Sequence, residues 1–474
     1  MIDRTASAAP ETRRGAASLP AQSARRRAVV LVGNPAAPYS RALRIARALV
    51  DEGYDVEIAA TTGEDVPDRE REGRIEWRRY RPSGFFARMV TRYRTVDPTA
   101  APRPGRSPLA RAVRAARDTA GGLWRWAFWP HTVRGWWRTL DRQLEPADLY
   151  HACGSLTIAA ALAARRRDRK AGRDSRAIYD FIDITSESNN VVAFPRLVRR
   201  WVAYREARWA RTSDAVTTVN DALADRLVTR FRLAERPIVV PNYPMPRKPS
   251  RKSPDLFRAA LGLTPETRIV LFQGRLGPNL GLAESAEAVL RVPDAALVLM
   301  GFGRWYQVCS ARDREARFAG RHFTLPAVHP DELASWTASA DVALVPLPPI
   351  SFNQRHAMPN KFLEAIVAGT PIVLGPDLPS MEAILRRFRL GRVARSLGPE
   401  DLAAAIGEIL DRPAAERATE RSRIAVVGAE HFTWPAIAER YRQLVRRVAP
   451  DGLSSGSDVH AGATTAPMAD LEDS

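Results

Sequence analysis

Short β-branched runs, each followed by an apolar pattern of helical spacing, recur along the 474-residue chain in two series. The first opens at Ala28-Val29-Val30-Leu31-Val32-Gly33, which reads as a buried strand. After a loop from Asn34 to Tyr39, Arg41 to Glu52 places Leu43, Ala46, Leu49 and Val50 at helical spacing. Gly53 stops that helix, and Val56 to Ala60 reads as the next strand. Strand, helix and strand in about thirty residues is the unit of a parallel sheet, because parallel strands need a long crossover between them. The same grammar predicts strands at 149–152, 177–181, 215–218 and 238–240, with a helix at 156–164. Pro241 to Ser250 then has the composition of a linker. Beyond it, strands are predicted at 269–272, 296–300, 322–325, 342–346 and 372–374.

A chain of this length exceeds one compact core, so two series imply two domains. The expected fold class is α/β, with two parallel-sheet domains joined by that linker. Residues 27–245 form the first domain, 246–430 the second, and 431–449 a closing helix. Residues 1–26 read as a disordered basic N-terminus. Residues 450–474 read as a disordered acidic tail, with five acids and no bases from Asp451 onward.

Composition narrows the setting. Hydrophobic content of 45% with 26% charged residues is that of an ordinary globular chain. No apolar run is long enough to span a bilayer, and the N-terminus lacks the apolar stretch of a secretory signal. The expected location is the cytoplasm. Cys153 and Cys309 are too few for a disulfide framework or a cysteine-based zinc site, and read as reduced thiols. The formal charge of +19 suits nucleic acid, an anionic membrane or an anionic substrate, and equally a genome rich in Arg and Ala codons.

Five of the eleven tryptophans fall between Trp124 and Trp137. On a helical projection Trp129, Val133, Trp136, Trp137 and Leu140 share one face, and Arg134, Arg138 and Arg142 the other. That arrangement over residues 124–142 fits a helix lying on the inner face of an anionic membrane, and also a domain helix packed on a sheet. Nucleic acid is not expected, since the aromatics are segregated from the arginines rather than interleaved with them.

The second series contains Met358-Pro359-Asn360-Lys361-Phe362-Leu363-Glu364-Ala365-Ile366-Val367-Ala368-Gly369-Thr370-Pro371. Ahead of it, in order, lie Phe272-Gln273-Gly274-Arg275-Leu276, then Leu297 to Gly303, then Ala340 to Pro346. Asn360 has the character of a helix N-cap and Gly369 that of a helix stop. A helix N-terminus offers free N–H groups to a diphosphate.

These four stretches resemble the donor-binding half of glycosyltransferase family four, retaining enzymes of the GT-B fold, and so imply two Rossmann-like domains facing a cleft. The resemblance implies transfer of a sugar from a nucleoside diphosphate sugar, UDP or GDP, to an acceptor hydroxyl, without metal or cofactor. It implies that Glu364 accepts hydrogen bonds from the donor ribose. Arg275 and Lys361 would stabilise the leaving diphosphate. Gly274, Gly301, Gly303, Val328, His356 and Asn360 would complete the donor site, Gly301 and Gly303 by letting the backbone approach the nucleotide. The last helix, from Trp434 to Val448, resembles the segment that returns to the N-terminal domain.

Three positions depart from the family pattern. His356 stands where many relatives have a Glu. Leu280 replaces a Lys before Gly281, leaving Lys361 or Arg41 as candidate replacements for that cation. His151-Ala152-Cys153 replaces a His-X-His, so His151 is a catalytic candidate and Cys153, with Asn34 and Arg41, a candidate of the acceptor side of the cleft. Polysaccharide, lipid-linked and small-molecule acceptors are all open. So are two other readings, a catalytically weakened scaffold that binds a nucleotide sugar and a GT-B epimerase acting on the donor itself.

Overall fold

A computed structural model of the chain describes residues 25–36, 40–63, 66–81, 135–188 (other than 137 and 141), 191, 194–246, 255–303 and 305–450. The expectations for residues 1–24 and 451–474, and most of those for residues 124–142, lie outside them.

The N-terminal half holds β1 (Arg27–Val32), β2 (Asp55–Thr61), β3 (Arg69–Glu72), β4 (Ile75–Tyr80), β5 (Leu149–Cys153), β6 (Arg176–Phe181), β7 (Ala215–Thr218) and β8 (Ile238–Val239). They form one sheet in the order β3-β4-β2-β1-β5-β6-β7-β8, parallel except for β3. The C-terminal half holds β9 (Arg268–Arg275), β10 (Ala295–Phe302), β11 (His322–Pro326), β12 (Val342–Val345), β13 (Ile372–Leu374) and β14 (Gly391–Val393). Its order is β11-β10-β9-β12-β13-β14, all parallel. The central strands are mostly apolar because helices cover both faces, and His151, Asp180 and Gln273 are among the buried polar residues they carry.

Strand order reverses between β1 and β5 in the first sheet and between β9 and β12 in the second. The carboxyl ends of strands at such reversals are where open α/β sheets leave a crevice for ligands. Arg275 ends β9, and Asn34 follows β1.

The helix Trp434–Val448 packs into the core of the N-terminal half, burying Trp434, Ile437, Tyr441 and Leu444 beside Ile45 and Leu49. Side-chain hydrogen bonds also join the halves. Asn353 Oδ1 accepts from Ile184 N at 3.2 Å while its Nδ2 donates to Ile184 O at 2.9 Å. Asn220 Oδ1 caps the helix Asp221–Phe231, and its Nδ2 donates to His356 O at 2.7 Å.

Trp136 and Leu140, placed by their spacing on one apolar face, are buried with Leu144 and Tyr150. That part of the face packs inside the protein.

Candidate functional site

Of the residues singled out in the C-terminal half, Arg275, Lys361 and Glu364 come together beside the β9–β12 reversal. Gly369 ends the helix Asn360–Ala368 with φ 72°, where a side chain would meet Arg421 O. Its start differs from expectation. Pro359, in extended backbone, takes the cap position, and Asn360 is the first helical residue. The Asn360 side chain accepts instead from Asn242 Nδ2 at 2.7 Å, a bond to the linker.

Lys361 and Glu364 lie one turn apart on that helix. Lys361 Nζ sits 3.4 Å from the centroid of the Phe272 ring. Burial pulls its pKa down to about 7, Glu364 resisting that shift and Arg275 adding to it. Glu364 Oε2 accepts from Gln273 Nε2 at 2.7 Å, and Gln273 Oε1 accepts from Thr337 Oγ1 at 2.7 Å. Burial pushes the Glu364 carboxyl above its ordinary range, while Gln273, Arg44 and Lys361 hold it back. Gln273 is thus a fixed donor that orients the carboxylate.

Arg275 is exposed at the end of β9, with no carboxylate partner among the described residues. Gly274 beside it has φ 110°. A side chain at Gly301 would lie 1.8 Å from Gly274 O, and one at Gly303 2.5 Å from Leu276 O. These two glycines therefore permit close approach between the β9 and β10 chain segments, a requirement of the sheet itself. Val328 follows β11 at the same end of the sheet, and packs with Phe257 and Trp336. His356 ring nitrogen Nδ1 lies 3.0 Å from Ser380 Oγ, and its ring lies tilted against Phe352, the centroids 4.5 Å apart. Burial, with Arg355 and Arg226, lowers its pKa, so it brings no fixed charge to a phosphate.

On the N-terminal side the structure corrects two assignments. Arg41 is not a cleft cation. It is 2% exposed and grips Asp180 through two bonds of 2.6 Å, with a third to Val240 O. His151 is not placed to touch a substrate. It is fully buried, its Nδ1 3.0 Å from the Tyr441 phenol oxygen and its Nε2 3.7 Å from Asp180. Cys153 lies beside them, its thiol pushed well up by burial and by Asp180, which leaves no thiolate for chemistry. His151, Cys153 and Asp180 have ligand atoms within 4.8 Å of one another. Both Asp180 oxygens already bind Arg41, whose charge opposes a cation there. Asn34 stays at the end of β1, its Oδ1 accepting from Ala36 N at 2.8 Å.

Three residues enter that sequence reasoning passed over. Arg44, one turn after Arg41, donates to Asn242 Oδ1 at 2.6 Å and feels the charge of Glu364 in the other half. Gln273 was visible only as part of a motif. Asp183, in the loop after β6, is accessible yet walled by protein, which pushes its carboxyl up while Arg275 pulls it back. Its signal was position, just beyond the carboxyl end of a central strand.

Residues 267–412 match the family described as Glycosyl transferases group 1. D-inositol 3-phosphate glycosyltransferase 2 of Catenulispora acidiphila is 28% identical over 194 residues, covering 38% of this chain and 43% of that one. The chain spans less than half the length of the first curated relatives it matches. Among solved structures, sucrose-phosphate synthase from Thermosynechococcus elongatus superposes with a TM-score of 0.60 at 16% identity, over 90% of this chain and 99% of that one. Anabaena Alr3699/HepE in complex with UDP and glucose gives 0.57 at 15% identity, over 89% and 100%. The match to the glycosyl transferases group 1 thus lies in the C-terminal half of the chain, and its two sheets have the GT-B arrangement of those solved neighbours.

Proposed function

We propose that this chain transfers a sugar from a nucleoside diphosphate sugar to an acceptor hydroxyl, with the donor held by the C-terminal half. The observation that carries the reading is the cluster of Gln273, Arg275, Lys361 and Glu364 at the β9–β12 reversal, inside the matched segment. Glu364, oriented by Gln273, accepts from the ribose hydroxyls. Arg275 and Lys361 take up the charge that grows on the departing diphosphate, which is the work a metal ion does elsewhere. Asp183 meets the acceptor hydroxyl from the opposite side. UDP is the favoured nucleotide of the donor, in keeping with the UDP held by Alr3699/HepE. Retention at the anomeric carbon and independence of metal are part of the same reading.

The test is thermal stabilisation by a panel of UDP, GDP, ADP and TDP sugars. One donor should stabilise the protein selectively, by about 2.7 kcal/mol at a hundred times its Kd. Glu364→Ala should lose that shift. If no donor stabilises a well-folded protein, the reading fails.

Lys361 gives the site a pH dependence. Free, it titrates at about 7; beside a diphosphate its charged form is favoured, so binding takes up a proton. Donor affinity should therefore fall as pH rises from about 6 to about 9, and Lys361→Met should flatten the profile. A profile unchanged in that variant would remove Lys361 from phosphate binding.

A further inference from the structure

A second cavity, of about 560 Å³, opens between the start of the helix Arg196–Thr212, the helix Asp221–Phe231 and residues 350–352 of the C-terminal half. Its wall carries Arg196, Arg199, Arg200, Arg226 and Arg230 against a single carboxylate, Glu187. Arg226 and Arg230 reach that carboxylate at 2.7 and 3.0 Å. Arg196, Arg199 and Arg200 have no carboxylate partner among the described residues. Arg226 is further steadied over the Phe352 ring, 5.0 Å from its centroid, so the wall is fixed from both halves.

Two polar atoms of this wall are buried without a hydrogen-bond partner, Arg199 Nε and Ser186 Oγ. Leaving a buried donor unpaired is costly, and a guanidinium nitrogen more so than a hydroxyl. An excess of guanidinium groups around orphaned donors suits an anion with several oxygens, because each planar fork can take two of them. Ser186 and Glu187 follow Asp183 in the same loop, so an anion seated here lies along the chain from the residue that faces Arg275.

We propose that this cavity binds the phosphate of the acceptor, a phosphate monoester or diester carried by a sugar, a polyol or a lipid headgroup. The assignment to an acceptor rests on the glycosyl-transfer reading; the anion site itself does not.

The full chain is titrated with glucose 6-phosphate and with glucose, and sedimented with phosphatidylcholine vesicles with and without phosphatidic acid. UDP binding is measured in parallel. Glucose 6-phosphate or the phosphatidic acid vesicles should bind, and glucose and plain phosphatidylcholine should not. The arm that responds names the source of the phosphate. Arg199→Gln with Arg200→Gln should weaken that binding by about tenfold or more, the loss of charge-assisted hydrogen bonds. Arg196→Gln with Arg200→Gln, both exposed, guards against a folding defect and should act in the same direction. Arg386→Gln, in an exposed ion pair elsewhere, should change nothing. UDP affinity should be the same in every variant. If neither phosphate probe binds the parent, or both double variants bind as the parent does, the proposal is wrong and the donor reading stands. If the phosphate probe binds but UDP and every donor fail, the anion site stands and its assignment to an acceptor falls.

Discussion

Arg275→Ala should slow sugar transfer by roughly a hundred- to a thousandfold in kcat, with a much smaller change in donor KM. The leaving diphosphate gains negative charge as the glycosidic bond breaks, so a cation aimed at it is worth more in the transition state than in the ground state. Arg275 is suited to that task because no described carboxylate forms an ion pair with it, Asp183 feeling its charge only across a gap. Lys361 is held over an aromatic face rather than in an ion pair, so it too is free to turn toward a phosphate. If both act on one diphosphate, Lys361→Ala should give a loss of the same order, and the double variant less than the product of the two. Steady-state kinetics with the donor chosen by the thermal panel measure all three. A kcat for Arg275→Ala within a fewfold of the parent would show that this guanidinium does not face the leaving group.

The parts of the site that sequence made legible are those carried on one continuous segment. Asn360, Lys361 and Glu364 sit on a single helix whose stop, Gly369, announces itself by composition. The central strands were equally plain, since strands covered on both faces are mostly apolar. The hairpin β3–β4 was missed for the opposite reason. Arg69-Glu70-Arg71-Glu72 is an exposed edge with no apolar residue, and Ile75 to Tyr80 alternates with Glu and Arg. The short strand β14, Gly391–Val393, begins on a glycine and carries Arg392, so it lacks the apolar run that marked β13, a strand of the same length.

On the N-terminal side the chemistry depends on which turn of a helix faces which neighbour. Arg41 and Arg44 look alike in sequence, yet Asp180 draws one into the core and Asn242 holds the other at the domain junction. The arginine-lined cavity was invisible for a related reason. Its wall comes from residues 186–187, 196–200, 226–230 and 350–352, which only the fold brings together. The large positive charge was apparent in composition, but not the place where it goes unpaired.

The buried Arg41–Asp180 pair should make Asp180→Ala one of the most destabilising substitutions in the chain, at about 3–5 kcal/mol. Asp180 is fully buried and also accepts from Thr217 Oγ1 at 2.8 Å. Removing it strands a guanidinium that is itself almost wholly buried, and an unpaired buried charge is what makes such deletions severe. The loss should reach the helix Trp434–Val448, because His151, beside Asp180, is the partner of the Tyr441 hydroxyl. Burial alone would raise the Asp180 carboxyl, but Arg41 outweighs it and holds the group far below its ordinary value of 3.8. The folded chain thus binds fewer protons here than the unfolded chain. The pair's contribution is complete above the ordinary Asp range and declines as pH falls below it, where only the unfolded chain takes up the proton. Denaturant unfolding of the single variants and of Arg41→Met with Asp180→Leu separates the terms. The apolar pair should recover most of the stability lost in Asp180→Ala, since it leaves no charge stranded. A double variant as unstable as Asp180→Ala would place the loss in packing rather than in the unpaired arginine.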